Sequence, residues 1–274
     1  MKTTGAENTW CPGCGNFGIL TAMNKAVEKL AEKGVLQEEL VMVTGIGCHG
    51  KIFDYLGLNG FYGLHGRAVP LAEGIKLGNP RLKVIVFSGD GDSWGEGLAH
   101  TLFAAKRNID ITHICHNNGV YALTTGQSTP LSKKGFKGKS TPKGNPEEPF
   151  NPLRLIAEAG AGFIARGYCM KIDHLADLIV KAVMHKGYSY VDVLQVCKTY
   201  NDLYAVYNKS VEAFDDVPDS ESALKMMVPD GKVPIGIFRE QDKEIFTSAL
   251  GGKNPVEQHK KRDERLSSIR KILG

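Results

Sequence analysis

The sequence predicts an α/β fold, a parallel sheet with helices on both faces, on three observations. Short apolar runs at 40–43, 83–87, 111–115 and 190–196 alternate with segments of helical spacing, as parallel strands joined by crossover helices require. Glycine-rich turns follow two of those runs, at Gly45-Ile46-Gly47 and Gly89-Asp90-Gly91, at the strand ends where such sheets gather ligands. A chain of 274 residues, 42% hydrophobic, is long enough for one core that hides about three-quarters of the unfolded surface.

Each element follows from local pattern. After an amino-terminal cysteine loop, Ile19, Leu20, Met23, Val27 and Leu30 recur at helical spacing and Gly34 is placed to stop the helix. A strand at 40–43 leads into a glycine-rich stretch through Gly74. The strand 83–87 delivers the Asp90 loop, a helix is expected over 95–106, and a strand over 111–115. Residues 124–152, rich in Gly, Pro, Ser and Lys, are expected to form a long loop; at that length structureless segments are commonly lids or mobile. A helix over 152–159, a strand over 162–165, a helix over 172–186 and a strand over 190–196 complete the sheet. Beyond Tyr204 the pattern weakens, Asp215-Asp216-Val217-Pro218-Asp219-Ser220 reads as a break, and Lys260-Lys261-Arg262-Asp263-Glu264-Arg265 reads as a surface segment.

Composition excludes several classes. No run of about 18 apolar residues exists and Met1-Lys2-Thr3-Thr4 leads into polar chain, so neither a membrane span nor a secretory signal is expected. Six cysteines, two of them in Cys-x-x-Cys, read as metal or redox ligands in a reducing, cytoplasmic compartment. The net charge of +4 is mild, and the lysines 133, 134, 137, 139 and 143 are broken up by glycine and proline; they read as a solvated loop face, not a nucleic-acid stripe.

Two constellations carry chemistry. Asp90 sits between glycines at a strand end and Asn118 returns after the next strand. An acidic and an amide oxygen so placed suit a hard cation shared with a diphosphate, and Gly89 and Gly91 let backbone approach the phosphates. This looks like the thiamine diphosphate motif. Cys11-Pro12-Gly13-Cys14 is ambiguous alone, but Cys48 and Cys197 each follow a strand run, so four thiols converge on one sheet edge. That set suits a [4Fe-4S] cluster; a Cys₄ zinc site needs the same ligands. Cys115 and Cys169 read as buried small hydrophobes.

Further residues have two readings each. His65 and Arg67 could bind the diphosphate or a substrate carboxylate, or brace neighbouring loops. His49, after Cys48, could tune protonation near a thiazolium or fill space. Leu123 and Thr125 are placed to line a substrate pocket, and Leu123 and Thr124 to contact the cofactor. Lys51 is a basic residue after the turn, either facing substrate or solvated.

The motifs Trp10-Cys11-Pro12-Gly13-Cys14-Gly15, Gly45-Ile46-Gly47-Cys48, His65-Gly66-Arg67-Ala68-Val69-Pro70, Gly89-Asp90-Gly91-Asp92, Asn118-Gly119-Val120-Tyr121 with Thr125-Gly126-Gln127, and Gln195-Val196-Cys197 occur in this order. In this the chain resembles, over about residues 10–203, the beta subunit of 2-oxoacid:ferredoxin oxidoreductases. The resemblance implies that residues 1–203 form a thiamine diphosphate and [4Fe-4S] domain and that 204–274 form a carboxyl-terminal arm for partner docking. It implies Mg²⁺ ligation by Asp90, Asn118 and the carbonyl of Val120, diphosphate contacts from Gly91 and Asp92, and Ile46, Gly47, Cys48 and His49 along the cofactor. Cys11, Cys14, Cys48 and Cys197 would hold the cluster, and Lys51 matches a basic position facing the substrate carboxylate.

The implied reaction is oxidative decarboxylation of a 2-oxoacid, 2-oxoglutarate or pyruvate, to an acyl-CoA, with electrons passing to ferredoxin. No residue in these motifs supplies the glutamate that activates the aminopyrimidine. The resemblance assigns it to a partner alpha subunit, within a dimer of heterodimers, so this chain alone would be inactive. The rival readings are a non-redox thiamine diphosphate lyase and a zinc-stabilised structural subunit.

Overall fold

A computed structural model describes residues 4–214, 231–249, 256 and 261–273. Its described strands are β1 Leu40–Thr44, β2 Asn59–Tyr62, β3 Lys83–Gly89, β4 Thr112–Asn117, β5 Phe163–Tyr168, β6 Ser189–Leu194, β7 Val211–Ala213 and β8 Val233–Glu240. They form one sheet in the order β2-β1-β3-β4-β6-β5-β8-β7. Every pairing from β2 through β5 is parallel, while β8 runs antiparallel to β5. The α/β class with a mostly parallel sheet is therefore as predicted.

Side-chain alternation splits the core into two layers, one on each face of the sheet. Ile85 and Phe87 of β3 pack with Ile19, Met23 and Leu30 of α1 (Asn16–Glu32) and Leu175 and Ile179 of α6 (Ile172–Met184). Val84 and Val86, on the other face, pack with Ala72 of α3 (Ala68–Gly78), Ala104 and Ala105 of α4 (Leu98–Arg107) and Ile156 of α5 (Pro152–Glu158). Period-2 geometry makes neighbouring residues serve opposite layers. Gly34, at φ +84°, ends α1 as predicted, its N–H bonded to Ala31 O at 2.9 Å. Asn151 caps α5 by accepting from Arg154 N–H at 2.9 Å, ahead of Pro152 in the first helical position.

Two expectations are corrected. The glycine-rich stretch through Gly74 holds a short helix α2 (Ile52–Tyr55), the edge strand β2 and α3. β2 is paired along one edge only, to β1, and Phe61 and Tyr62 stay exposed, so it shows no apolar alternation. Pro70 is tolerated in the first turn of α3, where N–H groups lack intrahelical partners. The helix expected over 95–106 begins at Leu98, because 92–96 form a wider π turn. Residues 124–151 form the expected long loop without helix or strand, pinned at two buried side chains: Ser132 Oγ donates to Gly119 O at 2.6 Å and Asn145 Nδ2 to Ser132 O at 3.2 Å.

Past residue 203 the chain still contributes to the sheet through β7 and β8, after a helix α7 (Tyr204–Ser210). The sequence break at 215–220 lies outside the described residues. Arg262–Leu273 form a helix that leaves Leu266, Ile269 and Ile272 exposed. Among the described residues no helix is long and apolar enough to cross a membrane.

Candidate active site

The carboxyl ends of β1, β3 and β4 open onto one cleft, lined by Ile46, Gly47, Cys48 and His49 after β1, by Gly89, Asp90, Gly91 and Asp92 after β3, and by Asn118, Val120, Leu123 and Thr124 after β4, with His65 and Glu96 also on its wall. A second cavity adjoins it, lined by Cys11, Cys14, Cys48 and Cys197 together with Lys51, Gln195 and Tyr200. Cys48, Asn118, Ala122 and Leu123 line both.

Asp90 is 1% exposed. Its Oδ1 accepts the N–H of Asn118 at 3.4 Å and its Oδ2 accepts the hydroxyl of Thr129. Burial pushes its pKa up to about 7, against the pull of those two hydrogen bonds. Two residues on, Asp92 is equally buried yet keeps its carboxylate below the usual range. Burial opposes the charge, but His49, the Gly66 N–H at 2.7 Å and the Ile46 N–H outweigh it. His49 Nε2 lies 3.7 Å from Asp92 Oδ2, an ion-pair distance with no hydrogen bond, and that nitrogen has no other partner.

Small residues let these groups meet. A Cβ on Gly45 would fall 1.8 Å from Asp92 Oδ2, and one on Gly91 would fall 2.2 Å from the Tyr121 ring. Gly45 and Gly91 are therefore required by close approach.

Asn118 is held from three sides. Its Oδ1 accepts the Val120 N–H at 3.0 Å, its Nδ2 donates to Gln195 Oε1 at 2.7 Å, and its backbone carbonyl accepts from Asn201 Nδ2 at 2.7 Å. Gln195 and Asn201 belong to the turn that carries Cys197, in which Asn201 N–H donates to Cys197 O at 3.0 Å. Thr129, Tyr121, Gln195 and Asn201 were not among the predicted site residues. Gln195 does fall inside the Gln-Val-Cys motif, the one signal that could have flagged it.

Cys11 is exposed, Cys14 and Cys48 half-buried, Cys197 buried. Burial, aided by the neighbouring Cys48, Cys197 and Cys11 and opposed by the backbone of Asn16, pushes the Cys14 thiol up to about 12. Cys48 is also raised by burial, with Lys51 pulling the other way. The four thiols surround a common space, but no three His, Cys, Asp or Glu groups among the described residues already stand at single-ion geometry. Cys115 and Cys169 are buried and line neither cavity.

The remaining predicted residues separate. Lys51 lines the cysteine cavity, its Nζ 3.5 Å from Thr9 O. His65 faces the cleft, with Nδ1 3.4 Å from Glu96 Oε2. Arg67 lines neither cavity and donates to the carbonyls of Gly66 and Glu96 at 3.2 and 3.0 Å, a loop-bracing geometry. Thr125 adopts φ +78° and accepts from Lys139 Nζ at 2.5 Å, outside the lining of both cavities.

Oxygen donors at the ends of parallel strands, glycines pressed against them and a thiol cavity alongside are the arrangement of this site, and comparison with known proteins gives its class as that of the thiamine-diphosphate enzymes. The family model described as "Thiamine pyrophosphate enzyme, C-terminal TPP binding domain" matches residues 45–193. A 2-oxoacid:ferredoxin oxidoreductase subunit beta of Saccharolobus solfataricus is 45% identical over 254 residues, covering 86% of this chain and 82% of that protein. The 2-oxoglutarate synthase subunit KorB of Archaeoglobus fulgidus is 35% identical, covering 91% of each. Among solved structures, a 2-oxoglutarate:ferredoxin oxidoreductase from Magnetococcus marinus with 2-oxoglutarate, coenzyme A and succinyl-CoA bound aligns at TM-score 0.84 and 32% identity, over 99% of this chain and 89% of that one. The chain belongs to the beta subunits of the 2-oxoacid:ferredoxin oxidoreductases.

Proposed function

We propose that this chain holds thiamine diphosphate, Mg²⁺ and a [4Fe-4S] cluster for the coenzyme A-dependent oxidative decarboxylation of a 2-oxoacid, releasing CO₂ and an acyl-CoA and passing electrons to ferredoxin. It acts in the cytoplasm with an alpha subunit, in a dimer of heterodimers. The observation that carries this reading is the wall shared by the Asp90 cleft and the four-cysteine cavity.

The donor sets fit the groups. Asp90 is a buried carboxylate whose charge burial disfavours, and a divalent cation would restore it. Asp90, Asn118 and the Val120 carbonyl would hold Mg²⁺, with Gly91 and Asp92 at the diphosphate and Ile46, Gly47, Cys48 and His49 along the rest. The four thiols line one cavity, the ligand set of a Cys₄-held cluster, beside the cleft where a thiazolium would need an electron acceptor.

When bound, the thiazolium supplies an electron sink for decarboxylation and the cluster an acceptor for single electrons. This chain's side chains bind and orient. Lys51 would attract the substrate carboxylate, and Leu123 with Thr124 would wall the pocket. His65 lies where it would meet an anion, whereas Arg67 braces the loop. Leu266, Ile269 and Ile272 on the carboxyl-terminal helix suit docking of the alpha subunit. The names of relatives such as KorB make 2-oxoglutarate the first substrate to test and pyruvate the second.

The test is the iron, acid-labile sulfide, zinc and thiamine diphosphate content of the chain purified without oxygen with its partner subunit. About four iron and four sulfide per chain, with one thiamine diphosphate and ferredoxin reduction dependent on 2-oxoacid and coenzyme A, is expected. Zinc in place of iron, or thiamine diphosphate without a cluster, overturns the reading.

A further inference from the structure

One buried side chain of the cysteine cavity also holds a residue of the Asp90 cleft. Gln195, 2% exposed, follows the last residue of β6 and is fixed by its backbone N–H, which donates to Asn117 O at 2.9 Å. Its Oε1 accepts from Asn118 Nδ2 at 2.7 Å. Its Nε2 donates to Val196 O at 2.7 Å and lies 3.7 Å from Cys14 Sγ, within the reach of a hydrogen bond to sulfur. The carboxamide therefore stands between the amide implied in Mg²⁺ binding and a thiol implied in cluster binding.

We propose that Gln195 is a positioning residue for both cofactors: its oxygen fixes the Asn118 amide toward the metal, and its N–H, directed at Cys14 Sγ, raises the reduction potential of the cluster. The inference rests on the assignment of both cofactors made above. The orientation argument is chemical. An asparagine amide can present either O or N to a site, and the acceptor Gln195 Oε1 captures the Nδ2 end, leaving Oδ1 on the opposite side. Hydrogen bonds to cluster sulfurs are among the factors that set iron–sulfur potentials; an N–H donor favours the more negatively charged, reduced state. Asn201 reinforces the link, because the turn bearing Cys197 also grips the Asn118 carbonyl. Residues 195–201 thus hold Asn118 at both its side chain and its carbonyl.

Two substitutions separate the two duties. In the purified complex, Gln195→Leu removes both contacts and Gln195→Glu keeps an acceptor for Asn118 while removing the donor toward Cys14. Gln195→Leu is expected to weaken binding of thiamine diphosphate with Mg²⁺, measured by titration calorimetry, roughly three- to tenfold, whereas Gln195→Glu stays within about twofold of the parent. Both variants are expected to titrate at a more negative cluster potential in redox-poised electron paramagnetic resonance. Parent-like potentials in both, at equal iron content, or parent-like cofactor affinity in Gln195→Leu, overturn the proposal. A measurement without substitution covers failure to fold. The reduced parent protein carrying side-chain ¹⁵N-glutamine is expected to show a ¹⁵N hyperfine coupling to the cluster in pulsed resonance, and its absence counts against the contact. A parent protein without iron or thiamine diphosphate would instead remove the functional reading itself.

Discussion

Ser88 Oγ and Ser93 Oγ meet at 2.5 Å, and His113 Nε2 lies 2.6 and 3.2 Å from them. These serines bracket the loop of Gly89, Asp90, Gly91 and Asp92, so one imidazole from β4 ties the two ends of the segment that carries both acidic residues. The other ring nitrogen, Nδ1, lies 2.7 Å from the Tyr188 hydroxyl. All four side chains are buried, and a neutral ring with hydroxyls on both sides satisfies the network in either tautomer.

Burial pushes His113 down to about 3 from 6.5, outweighing the opposing pull of Asp92. The unfolded chain therefore takes up a proton first as the solution is acidified. The stability that comes from a neutral His113 is complete above pH 6.5 and declines as pH falls toward 3, by about 1.4 kcal/mol per pH unit. Denaturant unfolding of the parent and of His113→Gln at pH 7 and pH 5 tests this. The gap between them is expected to narrow by about 2 kcal/mol at pH 5; a constant gap would show that His113 is not held neutral.

Asp90 carries a cost that serves binding. Replacing it by Asn removes a charge that burial disfavours while keeping an acceptor for Thr129. The thermal midpoint of cofactor-free Asp90→Asn is expected to match or exceed the parent, and its affinity for thiamine diphosphate with Mg²⁺ to fall by about 100-fold or more, beyond the loss typical of residues behind the ligands. Retained affinity would take Asp90 out of the metal site.

Asp92 does different work. Its Oδ1 satisfies the buried N–H of Gly66, a glycine at φ +63° packed against the backbone of Glu96. Asp92→Ala leaves that donor unpaired, and urea unfolding is expected to show a loss of about 1–3 kcal/mol. Asp92→Asn keeps an acceptor and should lose less than half of that. Equal losses would assign the effect to charge.

The two classes of cysteine should respond oppositely. Cys115 is packed among Val86, Trp94 and Tyr190 in the second core layer, and burial raises its thiol well above the ordinary range. Cys115→Ala is expected to lower stability by about 1 kcal/mol with iron content unchanged, while Cys197→Ala is expected to lose iron. Iron loss from Cys115→Ala would contradict the ligand set.

The central strands were legible because burial on both faces makes them continuous apolar runs: β3 begins at Lys83 as expected, and β4 is displaced by only a residue or two. Asp90 and Asn118 were legible because glycines mark the turns around them. Strand β2 was hidden because one flank is open, and β8 because its antiparallel partner β5 lies some seventy residues earlier, beyond the range of any local pattern. Asn201 and Thr129 lie outside every motif, and Gln195, though inside one, carries no role there, for a related reason. Their residue types are ordinary, and only the fold brings Thr129 from a long loop onto Asp90.

The order in which the strands leave the ribosome gives β8 a further significance. β5 is paired on one side by β6, which follows it closely, but its other flank is covered only when Val233–Glu240 arrive. Until then the nascent sheet presents a row of open amide and carbonyl groups on β5, a template for pairing with another chain. The cofactor-binding strand ends can thus be in place while the sheet is still vulnerable on its far edge. The distant segment is thus a guard against misassembly as much as a part of the finished architecture.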